Sequence, residues 1–326
     1  MKGVPMHIPL LPQGDSAALL PGASYSVPGL FQFSPLLYEC LRQVKEKFSY
    51  DIPVKYLYGG LPVRWNCGRL VFERNTTALD DIAAELSQAA DRGITPLLTF
   101  SMPHMEQEDL HDPLCNDILA LLDQVKGGII VASPLLRDYT REHFPNVEVH
   151  ASIIMTSFQP HRDLAYYQDL ARDYHRYVVH PDDNFRPDLL AQLPKDSAEI
   201  ILNERCGYQC AQRKEHYESI TQDQIALMEG SCALSGFLDR CPFVPERKQA
   251  HSKACTISLT TREAQDLAQQ GFSLFKLQGR LDIPYTFFFD FLRYTLEGEV
   301  AFPSMFPVFS YAIRDYRKER QRKRPR

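Results

Sequence analysis

Residues 200–217 read Ile-Ile-Leu-Asn-Glu-Arg-Cys-Gly-Tyr-Gln-Cys-Ala-Gln-Arg-Lys-Glu-His-Tyr, a short apolar run that ends abruptly in polar residues and two cysteines. The apolar run, residues 200–202, is typical of a buried strand in a parallel sheet. Thiolate ligands of a soft metal or a cluster must converge from backbone that can bend, and a loop after a strand provides such backbone. We therefore interpret the rest of the chain as the scaffold that holds this cysteine-containing loop.

Outward from this stretch, strand and helix patterns alternate along the chain. The predicted strands are 30–33, 54–58, 94–100, 128–132, 147–154, 177–179, 200–202 and 272–277, and the predicted helices include 34–44, 79–92, 117–125, 261–269 and 285–294. Strands separated by helical segments pair in parallel. Eight such units over roughly 280 residues match the size of a (β/α)8 barrel. The alternative is an open doubly wound sheet, although no Gly-rich phosphate loop supports a nucleotide-binding version of it.

We therefore predict an α/β fold with one domain, a (β/α)8 TIM-type barrel over residues 1–313. A cysteine-rich insertion, residues 203–258, follows the seventh strand of this barrel. The last residues, 314–326, are strongly basic, and we expect them to form a disordered tail. Contact of this tail with RNA, DNA or an acidic partner is the alternative interpretation.

The composition is that of a soluble globular protein. Of the 326 residues, 44% are hydrophobic and 24% are charged, and the formal net charge of −5 excludes a generally basic, nucleic-acid-like surface. No apolar run approaches the length of a membrane span, and residues 1–21 lack the apolar core of a signal peptide. We expect a cytoplasmic protein that makes no membrane contact.

Five of the eight cysteines are crowded into one stretch of the chain. In a reducing compartment such crowding indicates metal or cluster ligands rather than a disulfide framework. The predicted ligand set is Cys206, Cys210, Cys241 and Cys255, with Cys232 in reserve because it also fits a buried helix position. A structural zinc is the alternative occupant, but the spacing lacks the Cys-x2-Cys pairs of a zinc ribbon.

Candidate active-site residues follow from the barrel, because barrel active sites form at the C-terminal ends of the strands. Asn203 and Glu204 follow strand seven, and Arg280 follows strand eight, its neighbour in a closed barrel. We expect them to position a substrate, with Arg280 as a fork for a carboxylate or phosphate. An ion pair between Arg280 and Glu204 that fixes barrel closure is the alternative, and Arg69 in the second-strand loop has the same two interpretations.

Two histidines are further candidates. His216 follows the cysteines and is either a catalytic group or a hydrogen-bond partner of a cluster ligand. His180 and Asp182 follow the sixth strand as a general-base pair or as a simple turn. Cys67, in the second-strand loop, is a weaker candidate for the same site.

Three short stretches resemble the collagenase-like peptidase family. Residues 275–280, Phe-Lys-Leu-Gln-Gly-Arg, resemble its Lys-Ile-Glu-Gly-Arg signature. Residues 203–216 resemble the cysteine motif of its barrel relatives, and residues 58–62 with Gly68 and Arg69 resemble their second-strand loop. The resemblance implies a TIM-type barrel. The chain departs from the pattern at Gln278, where many members carry Glu, and in its cysteine spacing, which differs from that of the quinone-pathway members.

The resemblance also implies chemistry, because several members look like iron–sulfur proteins that serve oxygen-independent hydroxylation of ubiquinone precursors or RNA bases. It implies a [4Fe–4S] cluster on four cysteines, a small-molecule or RNA substrate, and a protein partner from the same family. We therefore expect an iron–sulfur-dependent modifying enzyme, a hydroxylase or related redox catalyst. One alternative is a peptidase, although no Gly-x-Ser-x-Gly or His-Glu-x-x-His motif is present. The other is a zinc-stabilised RNA-binding protein that uses the basic tail.

Overall fold

Eight parallel strands form a closed barrel in chain order. The computed structural model describes residues 10–68, 71, 78–231, 235–237, 256–279 and 284–323. Each strand pairs in parallel with the next, and β8 pairs with both β7 and β1. The strands are β1 Ser24–Pro28, β2 Val54–Gly59, β3 Thr95–Phe100, β4 Gly128–Val131, β5 Glu148–Ala151, β6 Arg176–Val178, β7 Ala198–Ile201 and β8 Leu274–Lys276. The prediction of a (β/α)8 barrel is confirmed.

Helices follow the strands. In the described ranges they are α1 Ser34–Phe48, α2 Leu79–Ala90, α3 Pro113–Gln124, α4 Pro134–His143, α5 Ile153–Phe158, α6 Leu164–Asp173, α7 Pro187–Gln192, α8 Arg213–Met228, α9 Thr261–Gln269, α10 Pro284–Thr295 and α11 Ala301–Lys323. The cysteine-rich insertion, residues 203–258, lies between β7 and β8; it contains α8, and α9 follows it. Helix α9 begins at a capping box in which Thr260 and Glu263 bond each other's backbone N–H groups.

The strands are buried on both faces, as expected of a parallel barrel covered by helices. Their outward residues join the helices in one large core. A smaller inner cluster fills part of the barrel interior, and its members are Tyr56, Tyr58, Leu97, Ile130 and Leu274. Strand β2 contributes two of these inner residues, and β3, β4 and β8 contribute one each. Inner and outer residues alternate along the strands, so that side chains fill the interior of the closed barrel.

The first strand is Ser24–Pro28, so the prediction of a strand at 30–33 was wrong. Gly29, at a φ of 108°, turns the chain, and the N–H groups of Gly29 and Leu30 both donate to Tyr58 O. Leu30 and Phe33 are buried in this turn ahead of α1, which explains their strand-like apolar pattern. The fifth strand is likewise shorter than predicted, because Ser152 accepts a hydrogen bond from Ile154 N and starts helix α5.

Helix α11 differs from the expected disordered tail, since it continues into the basic residues as far as Lys323. Met305, Phe309 and Ile313 are buried at helical spacing and hold the helix on the core, so that the next turns extend an already anchored helix. Among the described helices none is both long and apolar enough to cross a bilayer.

Candidate active site at the C-terminal ends of strands β6 to β8

Buried polar side chains lie where β6, β7 and β8 end. They are His180, Asn203, Glu204 and Gln278, and all of them are less than a tenth exposed. Polar groups taken out of water in this way must be hydrogen-bonded or must serve a ligand. Their partners therefore decide which of these side chains are structural and which remain available to a substrate.

Asn203 serves barrel closure. Its side-chain oxygen accepts a hydrogen bond from Gln278 N at 2.7 Å, and its amide nitrogen donates to Gln278 O at 3.0 Å and to Asp290 Oδ2 at 2.9 Å. Asn203 thereby fastens the end of β7 to the end of β8 and to helix α10. The structure thus brings Asn203 to the predicted place but commits its amide to neighbouring protein groups.

Glu204 orders the start of the cysteine loop. Its side chain is fully buried, with Oε1 accepting from Cys206 N at 2.9 Å and Oε2 accepting from Gln278 Nε2 at 2.8 Å. A carboxylate at position 278 would face the carboxylate of Glu204, whereas an amide can donate to it. This contact gives a physical reason for an amide rather than a carboxylate at position 278.

The cysteine loop joins β7 to α8. Cys206 is buried and Cys210 is half-buried, and neither forms a disulfide with a described cysteine. The chain returns to this loop after the insertion, because Ile257 N donates to Cys206 O at 2.9 Å and the Thr256 hydroxyl donates to Glu204 O at 3.1 Å. The residue that follows Cys255 in the sequence is therefore held next to the segment that carries Cys206.

Arg213, the first residue of α8, lies beside this loop and is only 5% exposed. One guanidinium nitrogen donates to Gly207 O at 3.1 Å and to Asp182 Oδ1 at 3.4 Å. Its Nε and Nη1 atoms are buried and have no hydrogen-bond partner in the described part of the chain. Burial alone would lower the pKa of Arg213, but Cys206, Glu204 and Asp182 raise it above its ordinary value. A buried cation with two spare donors favours an anion beside it.

The loop after β6 contributes a neutral histidine. Burial and the guanidinium groups of Arg213 and Arg162 lower the pKa of His180 to about 2. The Nδ1 atom of His180 accepts a hydrogen bond from Asp182 N at 3.2 Å, so that the ring proton is assigned to Nε2. At neutral pH His180 can therefore donate a hydrogen bond from Nε2, while burial raises the pKa of Asp182.

Two further polar groups lack partners in the same region of the fold. Both side-chain amide atoms of Asn184, in the loop after β6, are buried and unpartnered within the described ranges, and so is Oε1 of Gln278 after β8. Such atoms are costly unless a ligand or water satisfies them. Together with Arg213 they provide donors and acceptors that a polar substrate can use.

His216 packs among aromatic rings. It lies one turn into α8, where its ring stacks on Phe237 with a centroid separation of 5.2 Å and next to Tyr217. Phe237 belongs to the short described segment within the insertion, and Ser235 in that segment bonds Asp223 of α8. His216 thus packs residues 235–237 against α8, and its role as a catalytic group or as a hydrogen-bond partner of a cluster ligand stays a prediction.

The loop after β2 crosses toward the same site. A Cβ atom at Gly68 would lie 2.2 Å from Ser101 O, so this residue packs directly against the end of β3. Further along, Val71 N donates to Gln224 Oε1 of helix α8 at 2.8 Å. The β2 loop therefore spans from β3 to α8. Cys67 in this loop donates to Arg64 O, and burial raises the pKa of its thiol to about 11, so Cys67 stays protonated.

Several predicted site residues lie outside the described residues. They are Arg69, Arg280, Cys232, Cys241 and Cys255. In the ranges that the structure does describe, no group of three or more His, Cys, Asp or Glu side chains has a metal-binding arrangement. The predicted ligand set therefore stays a prediction, with two of its members, Cys206 and Cys210, located in one loop.

The barrel interior holds an ion pair that the sequence did not predict. Lys276 Nζ lies 2.7 Å from Glu199 Oε2 and 4.5 Å from the centroid of the Tyr58 ring. His150 also points into the barrel, where its Nε2 lies 3.0 Å from Glu148 Oε2. A charged residue flanked by apolar neighbours in a predicted strand, as in residues 198–201 and 274–277, is the signal that could have indicated this pair.

Comparison with solved structures gives a distant likeness in fold. Neither the protein-family models nor the curated protein sequences match this chain. The solved structure of a U32 peptidase superposes with a TM-score of 0.49 at 12% sequence identity, over 85% of this chain and 98% of that chain. A likeness of this size does not decide the activity of the chain, which must be argued from the site itself.

Proposed function

We propose that this chain is an iron–sulfur-dependent modifying enzyme that catalyses an oxygen-independent hydroxylation or a related redox reaction at the ends of β6 to β8. The observation that carries the proposal is the buried Arg213 guanidinium beside Cys206, with two donors that no described group accepts. The resemblance of residues 203–216 and 275–280 to the collagenase-like peptidase family supports the same chemistry.

The residues in the cysteine loop suit a thiolate-bound cluster. Cluster ligation requires cysteines as thiolates, and a thiolate forms most readily beside a cation. Cys206 lies beside Arg213, whereas Cys67 is a buried thiol with a raised pKa. The spare guanidinium donors of Arg213 would also offset the negative charge that four thiolates bring to a buried site.

Cys206 and Cys210 would hold the group together with Cys241 and Cys255, and Cys232 is the reserve ligand. The hydrogen bonds of Thr256 and Ile257 to the segment 204–206 support Cys255 as a member of this set. When bound, the cluster would supply electrons or Lewis acidity at the barrel mouth. Arg69 and Arg280 remain the proposed contacts for an anionic substrate.

The remaining residues would act on the substrate directly or hold the site in shape. His180 Nε2 and the Asn184 amide can donate hydrogen bonds to a substrate oxygen, and Gln278 Oε1 can accept one. Glu204 fixes the backbone of Cys206 and the amide of Gln278, which sets the relative position of β7 and β8. These roles orient a polar substrate next to the cysteine loop without requiring a further general base.

The test is the iron, sulfide and zinc content of protein purified without oxygen, together with its visible spectrum. We expect about four irons and four sulfides per chain, as in an all-cysteine cubane. Cys206→Ala and Cys210→Ala should each lose the cluster. Cys67→Ala is the matched control, since it removes a buried thiol on another loop, and should retain the full cluster.

Three results would replace the proposal. Full iron and sulfide in both Cys206→Ala and Cys210→Ala would remove these ligands from the assignment. One zinc per chain in a colourless protein would indicate that the cysteines form a structural zinc site. Cleavage of gelatin by iron-free protein would favour the peptidase alternative.

A further inference from the structure

A groove of about 320 Å³ lies on the surface of helices α10 and α11, away from the cysteine loop in sequence. Arginine and lysine side chains from one face of α11 line it opposite a tyrosine at the start of α10. The lining residues are Tyr285, Ser310, Ile313, Arg314, Arg317 and Lys318. The α11 members recur at intervals of three and four residues, which places them along one stripe of the helix.

The cations in this groove are available to a ligand. Arg314, Arg317 and Lys318 are all exposed, and Arg317 makes no ion pair or hydrogen bond with any part of the chain that the structure describes. Among the described residues, Arg314 and Lys318 form ion pairs with Asp315 alone, at 3.4 and 3.9 Å, and such exposed pairs are weak. Three positive charges therefore face solvent in one concave surface.

Aromatic rings flank these charges. Tyr285 is 44% exposed and is anchored by edge contact with Phe306 at 5.4 Å. Tyr311 is 61% exposed, and the Arg314 guanidinium lies 5.0 Å from its ring centroid. Exposed tyrosines and arginines held in place by such contacts form flat surfaces on which a nucleobase can stack.

The groove opens at the same end of the barrel as the cysteine loop. Lys47, near the end of α1, donates to Ser304 O near the start of α11, and Tyr316 donates to Gln32 O just before α1 begins. Helix α11 therefore runs antiparallel to α1. Because α1 starts at the C-terminal end of β1, the basic end of α11 lies at the face of the barrel where the strands end.

The charge of the chain is divided unevenly around this helix. Residues 314–326 contain eight Lys or Arg and two Asp or Glu, a net charge of +6, in a chain whose total is −5. The other 313 residues thus carry −11. A polyanion is repelled by most of the molecule and attracted to this one region, which favours docking in a single orientation.

We propose that the groove between α10 and α11 binds single-stranded nucleic acid, with Arg314, Arg317 and Lys318 on phosphates and Tyr285 stacked on a base. A concave surface that combines cations with an aromatic ring suits phosphates and bases together, whereas an anionic membrane would need no groove. Stacking on Tyr285 requires an unpaired base, which a single strand offers and an intact duplex does not. The idea that the bound strand is also the substrate rests on the proposed function. The binding of a strand to the groove does not depend on the proposed function.

The test is fluorescence anisotropy with labelled twelve-nucleotide oligouridine and oligothymidine over a series of salt concentrations. Arg314→Gln, Arg317→Gln and Lys318→Gln are combined in one variant that keeps residues 319–326 intact. Because each phosphate contact contributes about 0.7 to the salt dependence for a single strand, this variant should lower the slope of log K against log salt by about 2. Its affinity at low salt should fall by tenfold or more.

Two further variants separate the contribution of base stacking from that of the phosphate contacts. Tyr285→Ala should weaken binding by about tenfold and leave the salt slope unchanged, since stacking releases no counterions. The matched control removes three exposed cations elsewhere, with Arg42→Gln, Lys45→Gln and Arg172→Gln combined, and should bind like the unmodified chain. Binding is also measured on the iron-free chain; because the groove residues lie outside the cysteine loop, failure of the cluster proposal would leave this result intact.

Clear outcomes would overturn the inference. The groove is not the binding site if the control variant loses as much affinity as the groove variant, or if the salt slope of the groove variant is unchanged. Absence of oligonucleotide binding, with retention of the chain on phosphatidylserine vesicles instead, would assign the charged helix to a membrane surface.

Discussion

The ammonium group of Lys276 lies 2.7 Å from a carboxylate oxygen of Glu199 in the interior of the barrel, and both side chains are less than 5% exposed. Barrel interiors are usually filled by branched apolar residues, so the two charged groups of an ion pair there must provide each other's electrostatic and hydrogen-bond partners. The ring of Tyr58 covers the ammonium group, and the Tyr58 hydroxyl donates to Leu277 O. This arrangement ties the last residues of β8 to β2 and β7, next to the candidate site.

Removing one member of this pair should destabilise the barrel strongly. Lys276→Met leaves the Glu199 carboxylate buried without its cation, and we expect the free energy of unfolding at pH 7 to fall by about 3–5 kcal/mol. The combination of Lys276→Met with Glu199→Leu should recover most of this loss, because no buried charge remains. Urea denaturation followed by circular dichroism measures both changes.

An exposed ion pair provides the control. Arg172 and Asp169 lie 2.7 Å apart on α6 with both side chains at least 60% exposed. Arg172→Met should change the free energy of unfolding by less than about 1 kcal/mol. If Lys276→Met lowered the free energy of unfolding as little as Arg172→Met does, the prediction that the buried ion pair stabilises the barrel would be wrong.

A methyl group at position 68 should displace the β2 loop from the barrel. A Cβ atom at Gly68 would meet Ser101 O at 2.2 Å, so Gly68→Ala requires the loop to move. We expect a loss of about 1–3 kcal/mol in the free energy of unfolding and faster proteolysis within the loop. Gly298→Ala is the control, because no atom lies within 4 Å of its added Cβ, and it should be neutral or slightly stabilising. Equal protease resistance of the two variants would show that the loop tolerates the methyl group where it lies.

Acid should reduce stability through His180. Its pKa is about 2 in the folded chain and near 6.5 when unfolded, so between these values the unfolded chain binds a proton that the folded chain does not. Stability from this group is therefore full above pH 6.5 and falls as the pH is lowered, by up to about 1.4 kcal/mol per pH unit. His180→Asn keeps an acceptor for Asp182 N but cannot take up this proton.

The comparison between pH 8 and pH 5 isolates this effect. The loss of unfolding free energy over that range should be about 2 kcal/mol smaller in His180→Asn than in the unmodified chain. The raised pKa of Asp182 acts in the opposite direction, but Asp182 is present in both proteins. Parallel pH profiles of the two proteins would mean that His180 protonates in the folded state.

The barrel was predictable because its signals are local. A buried strand such as β4 is a continuous apolar run, and the crossover helices repeat at helical spacing. Strand β1 was missed because it contains Ser24, Ser26 and Pro28, which do not read as a strand. Its place in the barrel is set by pairing with β2 and β8, and β8 lies far away in the sequence.

The candidate site was predictable only in part for the same reason. Glu204 and Cys206 stand out in one stretch of sequence, but the role of Asn203 depends on Gln278, which lies 75 residues further along the chain. Arg213 was not among the predicted site residues. An arginine in the first turn of a helix interacts unfavourably with the helix dipole, which indicates that another contact stabilises it at that position. That contact, with Cys206 and Asp182, is visible only after folding.

The contact between Gln278 and Glu204 leads to a prediction about a carboxylate at position 278. Gln278→Glu places two carboxylates side by side in a buried site, in the position where Gln278 Nε2 now donates to Glu204 Oε2. At pH 8 both would be charged, and we expect the free energy of unfolding to fall by about 2–4 kcal/mol relative to the unmodified chain. Because the repulsion raises the pKa of the pair, one carboxyl takes up a proton as the pH falls, and the deficit should shrink by pH 5.

Gln278→Met is the matched control, since it keeps the length of the side chain and removes the donor without adding charge. Its deficit should be smaller than that of Gln278→Glu at pH 8 and nearly the same at pH 5 and pH 8. If instead Gln278→Glu were as stable as the unmodified chain at pH 8, a cation would have to neutralise the added carboxylate. Arg213, with its two unpartnered nitrogens, is the described residue best suited to do so, and the combination of Gln278→Glu with Arg213→Met would then restore the penalty.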